Sequence, residues 1–312
     1  MSLLRSGLRF ICVRALAALG IKKFIARSGL GYKFVCHTGD LAEYPFYYQR
    51  AFENELAICV GWLEQDNQPI IYDLGANVGF VSTHLAQMLR GCEPKIYAFE
   101  PVSMTFQKLV ASVSHLGLED CIRPVQAAVT DEQRKVLLYL PEKNSLQAQV
   151  ASGNLCKDTN DSLITAEGVS LDAFSAASKS YPTLIKMDIE GSEVAALRGA
   201  SDLLSRNDPP AILFEHNPIA LAQCGATVSE LYGLLSRYTF FYVDDLRGQL
   251  LPLGTPVTHV QKFDWICNIF AAPRNERSLA RWENALARAQ QRIRVAAPRS
   301  AARHHLSRDA KK

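Results

Sequence analysis

Two stretches of the chain carry ionisable and glycine residues at spacings that could do chemistry. The first runs Ile70-Ile71-Tyr72-Asp73-Leu74-Gly75-Ala76-Asn77-Val78-Gly79-Phe80. A β-branched apolar run ends in an acid, breaks into glycines, and continues with helical spacing from Val81 to Leu89. Glycines there let backbone pass close to a ligand where a Cβ would clash, and the helix N-terminus offers free N–H groups. Glu100 and Pro101 close the next apolar run, Ile96-Tyr97-Ala98-Phe99. A carboxylate at that place commonly accepts bonds from the ribose hydroxyls of a nucleoside. The second stretch is Pro182-Thr183-Leu184-Ile185-Lys186-Met187-Asp188-Ile189-Glu190-Gly191-Ser192-Glu193. It reads as a buried strand whose C-terminal end bears Lys186, Asp188 and Glu190. Ligands in open α/β sheets bind beyond those ends, and charges are expensive there unless they are used.

The order Asp73-x-Gly75-x-Asn77-x-Gly79 departs from the G-x-G-x-x-G of dinucleotide sites. An acid ahead of the first glycine would repel a pyrophosphate. It suits a ligand carrying positive charge, such as the amine or sulfonium of S-adenosylmethionine, so that compound is the expected cofactor. Asp73 is expected to help place the donor's amino-acid end, Gly75, Ala76, Asn77 and Gly79 to form the turn around it, and Glu100 to hold its ribose. Asp188 is the expected general base, with Glu190 and Lys186 beside it; Lys186 could stabilise its charge or orient the acceptor. Glu215 and His216 end the next apolar run, Ala211–Phe214, and are expected to meet the acceptor. His216 is the second candidate base, since imidazole ordinarily titrates near neutrality. Glu55, on a helix from Phe52 to Leu63, is a further candidate for the acceptor side.

The elements that must position these residues alternate regularly. Strand Ile70–Leu74 and helix Val81–Leu89 are followed by strand Lys95–Phe99, helix Ser103–Leu116 and strand Ile122–Ala128, the rhythm of a parallel sheet with helices on both faces. Val136–Leu140 reads as another strand. Pro141 to Gly168 reads as a long polar loop and a candidate for substrate contact. Asp172 is expected to cap a helix. After a helix over 228–237, Thr239–Val243 and Trp265–Ala271 read as an antiparallel pair at the sheet edge. Tyr44, Phe46, Tyr47, Tyr48, Phe52 and Trp62 form an aromatic cluster that could cap the pocket.

A hydrophobic content of 48% permits a sizeable core in 312 residues. The eight cysteines show no C-x-x-C pair, which argues against structural zinc or a disulfide framework and for free thiols in a reducing, cytoplasmic compartment. The net charge of +3 hides a segregation. Residues 1–33 carry seven Lys/Arg and no acid, residues 274–312 carry eleven against three, and the body between carries 16 against 28. An acidic body argues against nucleic acid as a partner. Leu3, Leu4, Leu8, Ile11, Ala15 and Leu19 share one helical face, with Arg5, Arg9 and Arg14 interleaved. This basic amphipathic segment is too short and too broken to span a bilayer. Residues 1–27 could instead lie on an anionic membrane; packing on the catalytic domain is the alternative. Leu279, Trp282, Leu286 and Ile293 lie on one face of a basic helix beyond Pro273, followed by a tail from Ala296 expected to be disordered. The boundaries expected are 1–43 for a basic helical segment, 44–273 for the catalytic domain, and 274–312 for the basic helix and tail. The oligomeric state is left open.

Tyr72-Asp73-Leu74-Gly75-Ala76-Asn77-Val78-Gly79, Phe99-Glu100-Pro101, Ser170-Leu171-Asp172, Ile185–Glu193, Phe214-Glu215 and Asn268-Ile269-Phe270 together resemble the FkbM-type S-adenosylmethionine-dependent methyltransferases over about residues 44–272. The Lys-x-Asp-x-Glu-Gly-x-Glu block is the most specific part. The resemblance implies a Rossmann-like class I methyltransferase fold, α/β, with a seven-stranded mostly parallel sheet whose last strand is antiparallel. It implies O-methylation of a hydroxyl on a sugar, glycan or secondary metabolite, and it places Ala127 and Ala128 near the adenine. No metal is assigned. A non-catalytic binding module and an N- or macromolecule methyltransferase are the rival readings.

Overall fold

The computed structural model describes residues 3–38, 53–140, 149–150, 162–243 and 265–296. A helix α1 (Leu3–Ala18) leads into a hairpin of β1 (Lys23–Arg27) and β2 (Lys33–His37). The hairpin was not anticipated within the segment 1–43, which the sequence reads as helical. Its turn passes through Gly31 at φ 87, a conformation open to glycine.

The main sheet contains β3 (Ile70–Leu74), β4 (Lys95–Phe99), β5 (Ile122–Val125), β10 (Leu184–Met187), β11 (Ala211–His216), β12 (Tyr238–Val243) and β13 (Cys267–Pro273). Their order across the sheet is β12-β13-β11-β10-β3-β4-β5. β13 runs antiparallel to both of its neighbours, and the five strands from β11 to β5 are parallel. The chain builds outward from β3 to β5 and then returns to β10 on the other side of β3. That reversal opens a crevice between the C-terminal ends of β3 and β10, the place where such sheets bind ligands. β10 is buried along its whole length, as a strand covered on both faces must be.

One face of the sheet is covered by α2 (Glu53–Leu63), α3 (Phe80–Met88), α4 (Ser103–Leu116) and α10 (Glu276–Ala296). The other is covered by α5 (Leu171–Ser178), α6 (Glu193–Arg198), α7 (Ser201–Ser205), α8 (Pro218–Gln223) and α9 (Val228–Leu234). α10 belongs to the first of these layers. Its buried stripe is Trp282, Ala285, Ala289 and Ile293, whereas Leu279 is exposed, so the expected stripe holds only in part. Trp282 stacks on Phe241 at 3.9 Å. α2 and α10 touch backbone to backbone at Gly61, where an added Cβ would lie 2.4 Å from the Ala285 carbonyl oxygen.

The expected strand Ile122–Ala128 is two strands. β5 stops at Val125, and β6 (Ala128–Val129) leaves the main sheet for the edge of a second one. β7 (Arg134–Leu140) pairs antiparallel with β9 (Ser162–Val169) along its length and with β8 (Gln149–Val150). The stretch read as loop up to Gly168 therefore ends in an eight-residue strand. Between the strands, residues 141–148 and 151–161 lie outside the described residues, as do the aromatics at 44–52 and the tail from 297. Asp172 does cap a helix, but not its own. Ser170 caps α5, and the Asp172 carboxylate accepts the Asp202 and Leu203 amides at the start of α7, at 2.9 and 3.0 Å.

Candidate active site

Side-chain alternation along the strands decides which charges meet. Asp73 and Lys186 are register partners on β3 and β10, and Glu215 and Asn268 are partners on β11 and β13. All four share parity with the residues that pack on the α2 and α10 layer, such as Ile71, Leu213 and Phe270. His216 has the parity of Ile212 and Phe214 and faces the opposite layer. It is fully buried, and its Nδ1 lies 3.1 Å from the Tyr232 hydroxyl. The structure therefore does not bring His216 to the acidic cluster: the one-residue step from Glu215 turns the two side chains to opposite faces.

The crevice is lined by Gly75, Asn77, Phe99, Glu100, Pro101, Ala127, Ala128, Val129, Leu138, Asp188, Ile189, Glu190 and Ser192. Eight of the expected residues are among them. Ala76 and Gly79 shape the turn without lining it. Phe99, Val129, Leu138, Ile189 and Ser192 were not expected. The alternation Val136, Leu138, Leu140 carried a signal for Leu138, but only the β7–β9 pairing puts that wall against the crevice.

The turn after β3 is built by protein contacts. Gly75 has φ 75, and a Cβ there would lie 1.9 Å from the Asp188 carbonyl oxygen. Gly79 has φ 87, and a Cβ would meet Leu109 at 2.6 Å. These glycines therefore let the turn pack on the β10 turn and on α4, a requirement separate from ligand approach. Glu100 accepts the Asn77 amide at 3.1 Å and the Val102 amide at 2.9 Å. Burial pushes its carboxyl up to about 7 against the pull of those two bonds.

Asp73 lies beneath the crevice, wholly buried and not part of its lining. It accepts the Ser82 hydroxyl at 2.5 Å and sits 3.6 Å from the Lys186 ammonium. The same ammonium is 3.3 Å from Asp188 Oδ2. Burial works to lower the pKa of Lys186, but Asp188, Asp73 and Glu55 together hold it above the ordinary lysine value. Glu55 is buried and accepts the Asn268 amide at 3.2 Å. Thus Asp73 and Glu55 join the site through Lys186, from behind.

Asp188 is about one-third exposed and faces the crevice. Glu190 follows with φ 50, a left-handed position that strains a residue with a Cβ. Burial first, then Asp188 and Glu215, push Glu190 up to about 8. Burial and Asp188 push Glu215 up to about 7. Glu193 is buried at the start of α6; it accepts the Gly191 amide through one oxygen, its other oxygen has no partner, and burial pushes it up to about 7.

These residues fit S-adenosylmethionine. The apolar wall of Phe99, Ala127, Ala128, Val129 and Leu138 suits an adenine, the Glu100 carboxylate on the same wall is of a type that accepts hydroxyl bonds, and the acidic rim suits a cation. The Methyltransferase FkbM domain model matches residues 73–242, more than half of the chain. No curated protein sequence matches. Among solved structures, a methyltransferase FkbM from Methylobacillus flagellatus is similar, with 18% identity and a TM-score of 0.45 over 74% of this chain. The match takes in 52% of that protein, so this chain corresponds to about half its length. A putative O-methyltransferase from Klebsiella pneumoniae is 14% identical, covering 72% of this chain and 80% of that one, with a TM-score of 0.43. An O-methyltransferase from Bacillus cereus in complex with SAH is 12% identical, covering 71% and 80%, with a TM-score of 0.41. With its motifs matched from Asp73 to Tyr242 and its crevice at the switch point of the sheet, the chain belongs to the FkbM family of S-adenosylmethionine-dependent methyltransferases.

Proposed function

We propose that the protein O-methylates a hydroxyl on a sugar, glycan or secondary metabolite, with Asp188 as the general base. The observation that carries this reading is the position of Asp188: first residue after β10, on the crevice wall, and 3.3 Å from a buried ammonium. When bound, S-adenosylmethionine supplies a methyl group on a sulfonium. Glu100 and the Asn77 turn hold the donor's nucleoside end. Lys186, fixed from behind by Asp73 and Glu55, keeps the Asp188 carboxylate aimed at the crevice. Asp188 would take the proton of the acceptor hydroxyl as its oxygen bonds the methyl carbon and the carbon–sulfur bond breaks, the donor leaving as a neutral thioether. Burial and Asp188 push Glu190 and Glu215 up, which favours a shared proton beside Asp188, and Glu190 on the crevice wall can bond an acceptor oxygen. Much of the rate would come from positioning, and the base would add roughly 10²–10⁴. Cys36, Cys59 and Cys267 sit buried in the core, and cysteine usage of that kind, without a C-x-x-C pair, favours action in the cytoplasm. Mass spectrometry of metabolites and glycans from cells with and without the gene tests the acceptor class. A polyhydroxylated compound one methyl heavier only when the gene is present is expected; a methylated amine or protein in its place would overturn O-methylation.

A further inference from the structure

The N-terminal helix and hairpin present a surface that the site does not use. From Phe10 to Leu19, Val13 is fully buried, while Ile11 is 63% exposed and Leu19 77% exposed. Over these described residues, Phe10, Ile11 and Leu19 thus keep their apolar side chains in solvent. The exposed apolar series continues into the hairpin with Ile21 and Ile25. Arg14, Lys22, Lys23 and Arg27 are exposed among them, and no acid occurs before Asp40.

This surface is fixed to the domain. The Thr38 hydroxyl donates to the Ile21 carbonyl at 2.6 Å, and the Thr38 amide to the Lys22 carbonyl at 3.0 Å, closing the hairpin onto the end of α1. Gln87 of α3 bonds both backbone groups of Lys33, at 2.7 and 3.1 Å. Phe34 and Cys36 are buried in the main core.

We propose that this face docks the protein on an anionic lipid bilayer, lying on it and not across it. The charge pattern favours lipid over a second copy of the chain. Apolar side chains interleaved with cations and free of acids match a negatively charged interface. Two copies pairing through the same face would set cation against cation. Among the described residues no helix is long and apolar enough to cross a membrane. The proposal does not depend on which hydroxyl is methylated.

The test is co-sedimentation of the full chain with vesicles of phosphatidylcholine alone and of phosphatidylcholine mixed with phosphatidylglycerol, in low and high salt. Binding is expected only to the anionic vesicles, weakening with salt. Each lysine near such a surface contributes about fivefold, so Lys22→Glu with Lys23→Glu should lower partition by at least about 25-fold. Ile11→Asp with Leu19→Asp should lower it comparably. Both pairs are exposed, so melting temperature and S-adenosylmethionine affinity should match the wild type. No binding to the anionic vesicles, equal binding to neutral ones, or unchanged binding by both variants would overturn the proposal. So would a dimer, seen by analytical ultracentrifugation, that Ile11→Asp with Leu19→Asp dissociates in a protein that ignores vesicles.

Discussion

After β3 the chain turns through Gly75, Asn77 and Gly79 at φ 75, 52 and 87; after β10 it turns through Glu190 and Gly191 at φ 50 and 98. The two turns touch, and they surround their acids with different partners. Beside the first, Glu100 receives two backbone amides, and Asp73 receives a hydroxyl and an ammonium. Beside the second, Asp188, Glu190, Glu193 and Glu215 crowd together, and burial with mutual repulsion raises the three glutamates. The amides on Glu100 mark a place already shaped by protein contacts, although burial still raises its carboxyl to about 7. A crowded set held at an energetic penalty marks a place where protons are to be handled. Under the proposed function the first turn is the donor side and the second the acceptor side.

The largest test of that division is Asp188→Asn. With donor saturating, single-turnover methylation should fall by roughly 10²–10⁴, while His216→Ala, on the far face, should stay within a few-fold of wild type. A fully active Asp188→Asn beside a dead His216→Ala would reverse the assignment of the base. Next is the contact between the turns. Gly75→Ala drives a Cβ to 1.9 Å from the Asp188 carbonyl, and should lower unfolding stability by about 4 kcal/mol or more. A melting temperature equal to wild type would mean the turns are not locked together.

Glu100→Ala probes the donor side, removing both the proposed ribose contact and the two amide bonds that shape the turn. Loss of charge-assisted bonds of about 1.5–3 kcal/mol should weaken S-adenosylmethionine roughly ten- to a hundredfold in calorimetry, with the fold kept. Unchanged affinity would remove Glu100 from the donor site. The smallest effect concerns Glu193. Its carboxyl rises from 4.5 to about 7 on folding, so the folded state binds the proton more tightly than the unfolded one. The stability this contributes is full below about pH 4.5 and is lost as pH rises through about 7. Denaturant unfolding should therefore show a decline between pH 5 and 8, of the order of 1–3 kcal/mol from this group, and Glu193→Gln should lessen it by that share, leaving the part due to Glu100, Glu190 and Glu215. An identical slope in the variant would show that Glu193 is not the group responsible.

Local sequence determined much of this molecule. An apolar β-branched run ending in Asp73 and glycines implies a strand and a tight turn, and the βα rhythm implies a parallel sheet. Glu100 and Asp188 were legible because strand ends in such sheets face the ligand. What only the tertiary structure decided depends on pairing between distant segments. β9 emerges from a polar stretch because β7 offers it a partner, and that hairpin supplies Leu138 to the crevice. The alternation of β11 sets Glu215 and His216 on opposite faces, but the face that carries the acids is chosen by the register with β10 and β13. Asp73 carries the right residue type for a ligand contact, yet it ends up beneath the crevice, because Lys186 on the neighbouring strand comes within 3.6 Å and Ser82 within 2.5 Å. A sequence shows which side chains alternate along a strand; only packing shows which neighbour reaches each one first.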